Sequence, residues 1–332
     1  MMMKAFFHKM LIRLSFLLGS WFIRFFAWWI ATGYLLFRPS SRRSSLQLYR
    51  VIFPNRRGWY YLYCAWRQFH SFAATYADRI EIDKKKGVTL SIQGKEGIVE
   101  AARRGSGGII LMSHLGNYEV AARAFQEVGL KHLMIMGEKE ARQVARDQRE
   151  TLKAQGIYIL VATGQEDSIF GGLEAIKFIR EGGFVSLSGD LIWTEQRSLL
   201  PVRLFDQEVA FTSGPHLLAL ISGVPLFTLF IFRVKRGVHK IIISPPRKVK
   251  ASSRSERSTA LQTSAQVYAD ALEEKVRQHP FQWYIFEPFF GSASADMRKS
   301  NPTFSASNPG EDMGQQNFLL DGKSGKNGGN ES

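Results

Sequence analysis

An α/β fold with a mostly parallel central sheet flanked by helices follows from three patterns in the sequence. From Val88 onward, short β-branched runs alternate with amphipathic helical segments, the signature of parallel strands joined by crossover helices. A turn at Lys235–Gly237 then joins two adjacent strand-like runs. A final stretch carries Leu261, Ala265, Tyr268, Leu272 and Val276 at helical spacing.

Taken in order, the strand-like runs are Val88 to Ile92, Ile109 to Met112, His132 to Met136, Ile157 to Val161, Phe184 to Leu187 and Leu226 to Phe232. The run His239 to Ser244 reads as an antiparallel edge partner of the strand before it. Helical segments fall between them at Val120 to Val128, around Ile169, Leu173 and Ile176, and at His216 to Ser222. Upstream, a basic, Tyr/Trp-rich stretch reaches about Ile82 and places Phe69, Phe72, Ala73 and Tyr76 at helix spacing. Beyond Gly291 the chain turns to Ser, Asn, Gly and Lys, too poor in apolar side chains to offset chain entropy, so 291–332 is expected to be a disordered tail. The division expected is 1–45 as a membrane-anchor helix, 46–290 as the enzymatic domain and 291–332 as the tail.

The 332 residues carry a formal net charge of +15, and its placement is informative. Residues 1–77 hold eleven Lys and Arg and no Asp or Glu, while the remainder is close to neutral. Aromatic side chains crowd the same segment, among them Trp21, Phe25, Trp28 and Trp29. A nucleic-acid groove of stacking rings is too solvated for so apolar a stretch. An anionic membrane surface accounts for both features, because headgroups attract Arg and Lys while Trp and Tyr settle at the boundary.

Leu14 to Phe37 is long enough to cross a bilayer, but Arg24 near its middle costs about 2.5–3.5 kcal/mol there. Lys9, Arg13, Ser20 and Arg24 share one narrow helical face, which fits either a helix lying in the interface or a span packing that stripe on its own protein. A cleaved signal peptide does not fit, since Arg24 interrupts the apolar run and no small-residue cleavage site precedes Arg38. If the positive-inside rule applies, the charges from Arg38 to Arg57 put the following domain on the cytoplasmic side, a placement that Lys4, Lys9 and Arg13 upstream oppose. The single cysteine, Cys64, excludes a disulfide framework and Cys-rich metal sites.

Common catalytic signatures are missing: no GxSxG, no HExxH and no GxGxxG after a strand. Gly322-Lys323-Ser324 mimics the end of a phosphate loop, but Asn317 stands where its first glycine belongs. The chemistry is expected at Ser113-His114-Leu115-Gly116-Asn117-Tyr118-Glu119, directly after a strand. Of seven histidines, His114 alone has an acid five positions on. Catalytic groups in open α/β sheets gather at the carboxyl ends of strands. A carboxylate on Nδ1–H would fix the imidazole tautomer and leave Nε2 as general base, and Glu119 is the expected partner. Two further clusters stand out. Asp190 ends a strand at the same edge and could bond an acceptor hydroxyl or hold an arginine. Thr212-Ser213-Gly214-Pro215 opens a helix whose N–H groups suit a polar head group. His70, His132 and His216 read as structural, Arg203 as solvated, and Trp283 to Phe286 as an apolar segment returning to the core.

His114-x4-Glu119, Gly189-Asp190, Thr212-Ser213-Gly214-Pro215, Arg42-Arg43-Ser44 and Gln282-Trp283-Tyr284 together resemble the lysophospholipid acyltransferase superfamily, in the branch of the bacterial lipid A late acyltransferases. The similarity covers roughly residues 20–290. The resemblance implies a glycerolipid acyltransferase-like fold and transfer of a fatty acyl group from acyl carrier protein or coenzyme A to a lipid hydroxyl, with no cofactor beyond that thioester. It implies His114 and Glu119 as a general-base dyad, with Leu115, Gly116, Asn117, Asp190, Thr212, Ser213 and Gly214 at the acceptor, on the inner membrane's cytoplasmic side. The chain lacks the basic residues of lipid A enzymes after Trp283 and in Thr163 to Phe170, which keeps another glycolipid or a lysophospholipid open as acceptor. A non-catalytic lipid-binding protein on the same fold is the alternative from another class.

Overall fold

The computed structural model describes residues 20–83, 89–117, 120–121, 124–125, 129–137, 152–153, 156–162, 164–190 and 199–290. Glu119, the greater part of the segment expected as a helix at Val120 to Val128, and the tail from 291 lie outside them. Three helices come first: α1 (Ser20–Phe37), α2 (Pro39–Ile52) and α3 (Gly58–Asp83). The chain continues through β1 (Thr89–Gln93), α4 (Glu96–Arg103), β2 (Gly108–Met112), β3 (His132–Gly137), β4 (Ile157–Ala162), α5 (Gly164–Arg180) and β5 (Phe184–Ser188). A hairpin, β6 (Leu199–Leu204) and β7 (Gln207–Thr212), leads to α6 (Gly214–Ser222), β8 (Leu226–Lys235), β9 (Val238–Ile243) and α7 (Arg257–Gln278), followed by a 3₁₀ turn at Pro280–Gln282.

Seven strands form one sheet in the order β1-β9-β8-β2-β5-β3-β4. Neighbours pair in parallel throughout except β8 with β9, the hairpin closed at Lys235–Gly237. The period of two sorts the side chains between two apolar layers. Ile109 and Leu111 of β2 pack into the layer containing α6, α7 and Trp283, while Ile110 and Met112 pack into the layer containing Ile98 of α4. β8 divides likewise, with Phe230 and Phe232 on one side and Leu229 and Ile231 on the other. Burial on both faces is why these strands read as continuous apolar runs.

The seven expected strands agree with the sheet to within a few residues at their ends. The β6–β7 hairpin was not expected, for a local reason. β6 contains Pro201, which demotes a run as a strand, and the turn uses Phe205 and Asp206 at φ 50° and 60° in place of the usual Asn-Gly. The basic stretch up to Ile82 is indeed helical but is two helices, α2 and α3. The boundary expected at residue 45 falls inside α2.

No described helix is long and apolar enough to cross a membrane. Of the expected polar stripe, Lys9 and Arg13 lie outside the described residues, and Arg24 faces the protein: its guanidinium donates to the Asp78 carboxylate of α3 at 2.6 Å, and Asp78 also holds Arg233 of β8 at 2.6 Å. The two arginines keep the Asp78 carboxyl below its usual range although burial alone pushes it up.

One glycine fixes the loop after β2. Gly116 has φ +83°, and a Cβ there would run into the backbone carbonyl oxygen of Ile231. Both the left-handed conformation and the close approach require glycine. Gly116→Ala is expected to cost more than about 1 kcal/mol and to lower the melting temperature by at least roughly 2–4 °C, read by thermal denaturation.

Candidate active site

Strand register builds the site. β2 and β5 pair in parallel with Met112 opposite Ser188, so Ser113-His114 and Gly189-Asp190 leave the sheet side by side at its carboxyl edge. Gly189 is small because a Cβ would press on Leu111 and Tyr268, and its N–H donates to the Met112 carbonyl at 2.9 Å. The Tyr268 hydroxyl donates to the same carbonyl at 2.8 Å. The two chain ends are thereby pinned within hydrogen-bonding reach of each other.

Asp190 is 1% exposed and its carboxylate accepts four hydrogen bonds. Oδ1 takes His114 Nδ1–H at 2.8 Å and the Ser188 hydroxyl at 2.8 Å. Oδ2 takes the His114 backbone N–H at 2.7 Å and the Trp283 indole N–H at 2.8 Å. Burial pushes its carboxyl up, but the neighbouring His114 charge and the bonds from His114 and Trp283 outweigh it and hold the group below its ordinary range. An ionised carboxylate only accepts, so Nδ1 carries a proton, and in the neutral imidazole the lone pair would lie on Nε2. The His114 side chain is 22% accessible at the sheet edge.

A strap from the end of the domain closes the loop. The Gly116 N–H donates to the Gln282 carbonyl at 2.8 Å, the Tyr284 N–H donates to the His114 carbonyl at 3.0 Å, and Leu115 bridges Trp283. α3 holds the strap from the other side, through Gln68 Nε2 donating to the Trp283 carbonyl at 2.6 Å and through Ser71 and Thr75 on the Tyr284 hydroxyl. The Gln282 amide also bonds the backbone of Arg233.

The sequence-derived candidates separate accordingly. His114 and Asp190 are brought together, and the carboxylate seen on His114 Nδ1 is Asp190, while Glu119 lies outside the described residues. Leu115 sits in the core beneath the site, and Asn117 is buried. Thr212 and Ser213 are buried at the turn into α6, where Thr212 Oγ1 accepts from the Gly214 N–H at 3.3 Å, and they are not among the four donors on Asp190. His132 and His216 are core residues hydrogen-bonded to Ser186 and Ser264, and burial lowers them to about 3 and about 4. Sequence reasoning missed Ser188 and gave Trp283 only a packing role. The one signal for Trp283, a polar N–H in an apolar run, does not name its acceptor.

This arrangement can hold an imidazole in one tautomer and stabilise the imidazolium that forms when Nε2 takes a proton, which is what general-base chemistry at a hydroxyl requires. The family model of the bacterial lipid A biosynthesis acyltransferases matches residues 60–291, a span that includes His114, Asp190 and Trp283. The chain belongs to that family. Its members are acyltransferases, so the family supplies acyl transfer as the reaction class of the chain. No curated protein matches the chain.

Because Asp190 is depressed in the folded protein, its ionised form stabilises the fold above the unfolded value near 3.8, and that contribution is lost as pH falls through the folded value. The melting-temperature gap between wild type and Asp190→Asn is therefore expected to be full at neutral pH and to narrow below about pH 4.

Proposed function

We propose that the protein is a membrane-associated O-acyltransferase that moves a fatty acyl group from acyl carrier protein or coenzyme A to a hydroxyl of a lipid A-like glycolipid at the cytoplasmic face of the inner membrane. The family supports acyl transfer to such acceptors. The observation that carries the mechanism is the 2.8 Å bond between His114 Nδ1 and the buried Asp190 carboxylate.

In this mechanism His114 Nε2 takes the acceptor hydroxyl's proton as its oxygen attacks the thioester carbonyl. The tetrahedral intermediate collapses with cleavage of the C–S bond, and the thiolate leaves with the proton that His114 held. The products are an ester and a free thiol, and no acyl-enzyme forms. Asp190 acts through His114: it fixes the ring and offsets the charge that develops on it. Glu119, five positions beyond His114 in the same motif, is retained as a second acid serving that histidine beside Asp190. Asn117, Thr212, Ser213 and Gly214 are proposed to serve the acceptor pocket.

His114→Ala is expected to lower acyl transfer by about 10²–10⁴-fold or more while the protein still folds and partitions into membranes. Asp190→Asn is expected to lower kcat by a comparable factor with little change in KM, because it disturbs the tautomer and leaves the acceptor contacts in place. Thioester consumption and lipid products followed by mass spectrometry decide the matter. Full turnover by His114→Ala would remove the mechanism, and acyl groups released as free fatty acid would make the reaction hydrolysis instead.

A further inference from the structure

α1 is built inside out relative to a helix of a soluble domain. Its two side chains with strong polar groups in the described span after Ser20, Arg24 and Thr32, both face α3. Arg24 is held by Asp78, and Thr32 Oγ1 lies 3.1 Å from His70 Nε2 while also donating to the Trp28 carbonyl. Ala31 and Leu35 pack beside them against Ala65 and Phe69. The opposite face carries Trp21, Phe25, Trp29 and Leu36, spaced by four, four and seven residues so that they stack on one side, and every one of them is exposed. Phe37 at its end is 81% exposed.

α3 carries exposed apolar side chains as well. On α3, Trp59 is 68% exposed and Leu62 is exposed beside it. Arginines rim the same helices, with Arg56 over the Tyr60 ring, Arg67 over Phe281 and Arg38 over Tyr34. From Ser20 to Ala77 the sequence holds eight arginines and no acid. An exposed apolar face of this extent marks an interaction surface, and rings overlaid by guanidinium groups with no acid between them select an anionic lipid surface.

We propose that α1 and the start of α3 form one docking platform for an anionic bilayer, with α1 lying in the plane of one leaflet. α1 cannot leave α3 without stripping Arg24 from Asp78. α3 cannot follow it through the hydrocarbon, because Arg67, Gln68 and His70 lie along its middle. The platform is fastened to the chemistry: Gln68, Ser71 and Thr75 hold the Gln282–Tyr284 strap, which holds His114. Docking thus sets the sheet edge bearing His114 in a fixed relation to the lipid surface. This deepens the acyltransferase reading, since it says how a lipid acceptor meets the site.

The test is vesicle partitioning of the full-length protein, with mixed phosphatidylcholine and phosphatidylglycerol vesicles against phosphatidylcholine alone. The Trp59→Ser, Leu62→Ser double variant is expected to bind the mixed vesicles about tenfold or more weakly, with unchanged melting temperature and unchanged acyl transfer to detergent-dispersed acceptor. Undiminished partitioning by the variant, or equal binding of the wild type to both vesicle types, would overturn the platform even if acyl transfer stands. Weakened binding by the variant, together with a wild type that binds the mixed vesicles but transfers no acyl group, would instead support docking while the enzyme reading fails. In intact spheroplasts a membrane-impermeant maleimide is expected to leave a Lys4→Cys variant unlabelled. Labelling would put residue 4 across the bilayer and overturn the in-plane placement.

Discussion

The Asp190 carboxylate is the point on which the site depends. A buried, ionised carboxylate costs several kcal/mol unless its oxygens are satisfied, and here four donors from three distant parts of the chain satisfy them. Those donors come from the loop after β2, from the end of β5 and from the segment after α7. Each is positioned by something other than the carboxylate: strand register, the Met112 carbonyl shared by Gly189 and Tyr268, and the strap held by α3. The charge is affordable only because the fold delivers all of them at once, and the same delivery gives His114 one orientation.

Much of this fold was legible because the buried strands leave a plain mark. Ile109 to Met112 and Leu226 to Phe232 are apolar throughout, since both faces of the sheet are covered, and α7 shows its Ala265, Tyr268, Leu272 and Val276 stripe openly. The β6–β7 hairpin was hidden by Pro201 and by a turn whose positive φ angles fall on Phe205 and Asp206. Tertiary support explains how such a turn persists: Phe205 packs against Trp283 and Phe290, and its N–H is taken by Glu273.

His114 was legible as the candidate base from its place after a strand and its spacing to Glu119. Its contact with Asp190 was not. That contact arises because β5 inserts between β2 and β3 in the sheet, and no local pattern in a sequence specifies strand order. Asp190 was visible only as an acid at the right edge, with its neighbour undetermined. Arg24 posed the same difficulty in the first helix. One charge in an apolar stretch names no partner, until Asp78, 54 residues later, is seen to hold it.

The strap has a consequence for how the protein comes into being. His114 emerges from synthesis long before Gln282, Trp283 and Tyr284, so for most of that time the Gly116 N–H lacks its carbonyl and Asp190 lacks its indole donor. Contacts separated by so much chain form late and fold slowly. A nascent chain that has finished its sheet but not its last turn therefore holds His114 in an unfinished loop, and the donors around Asp190 are complete only with the final dozen residues of the domain.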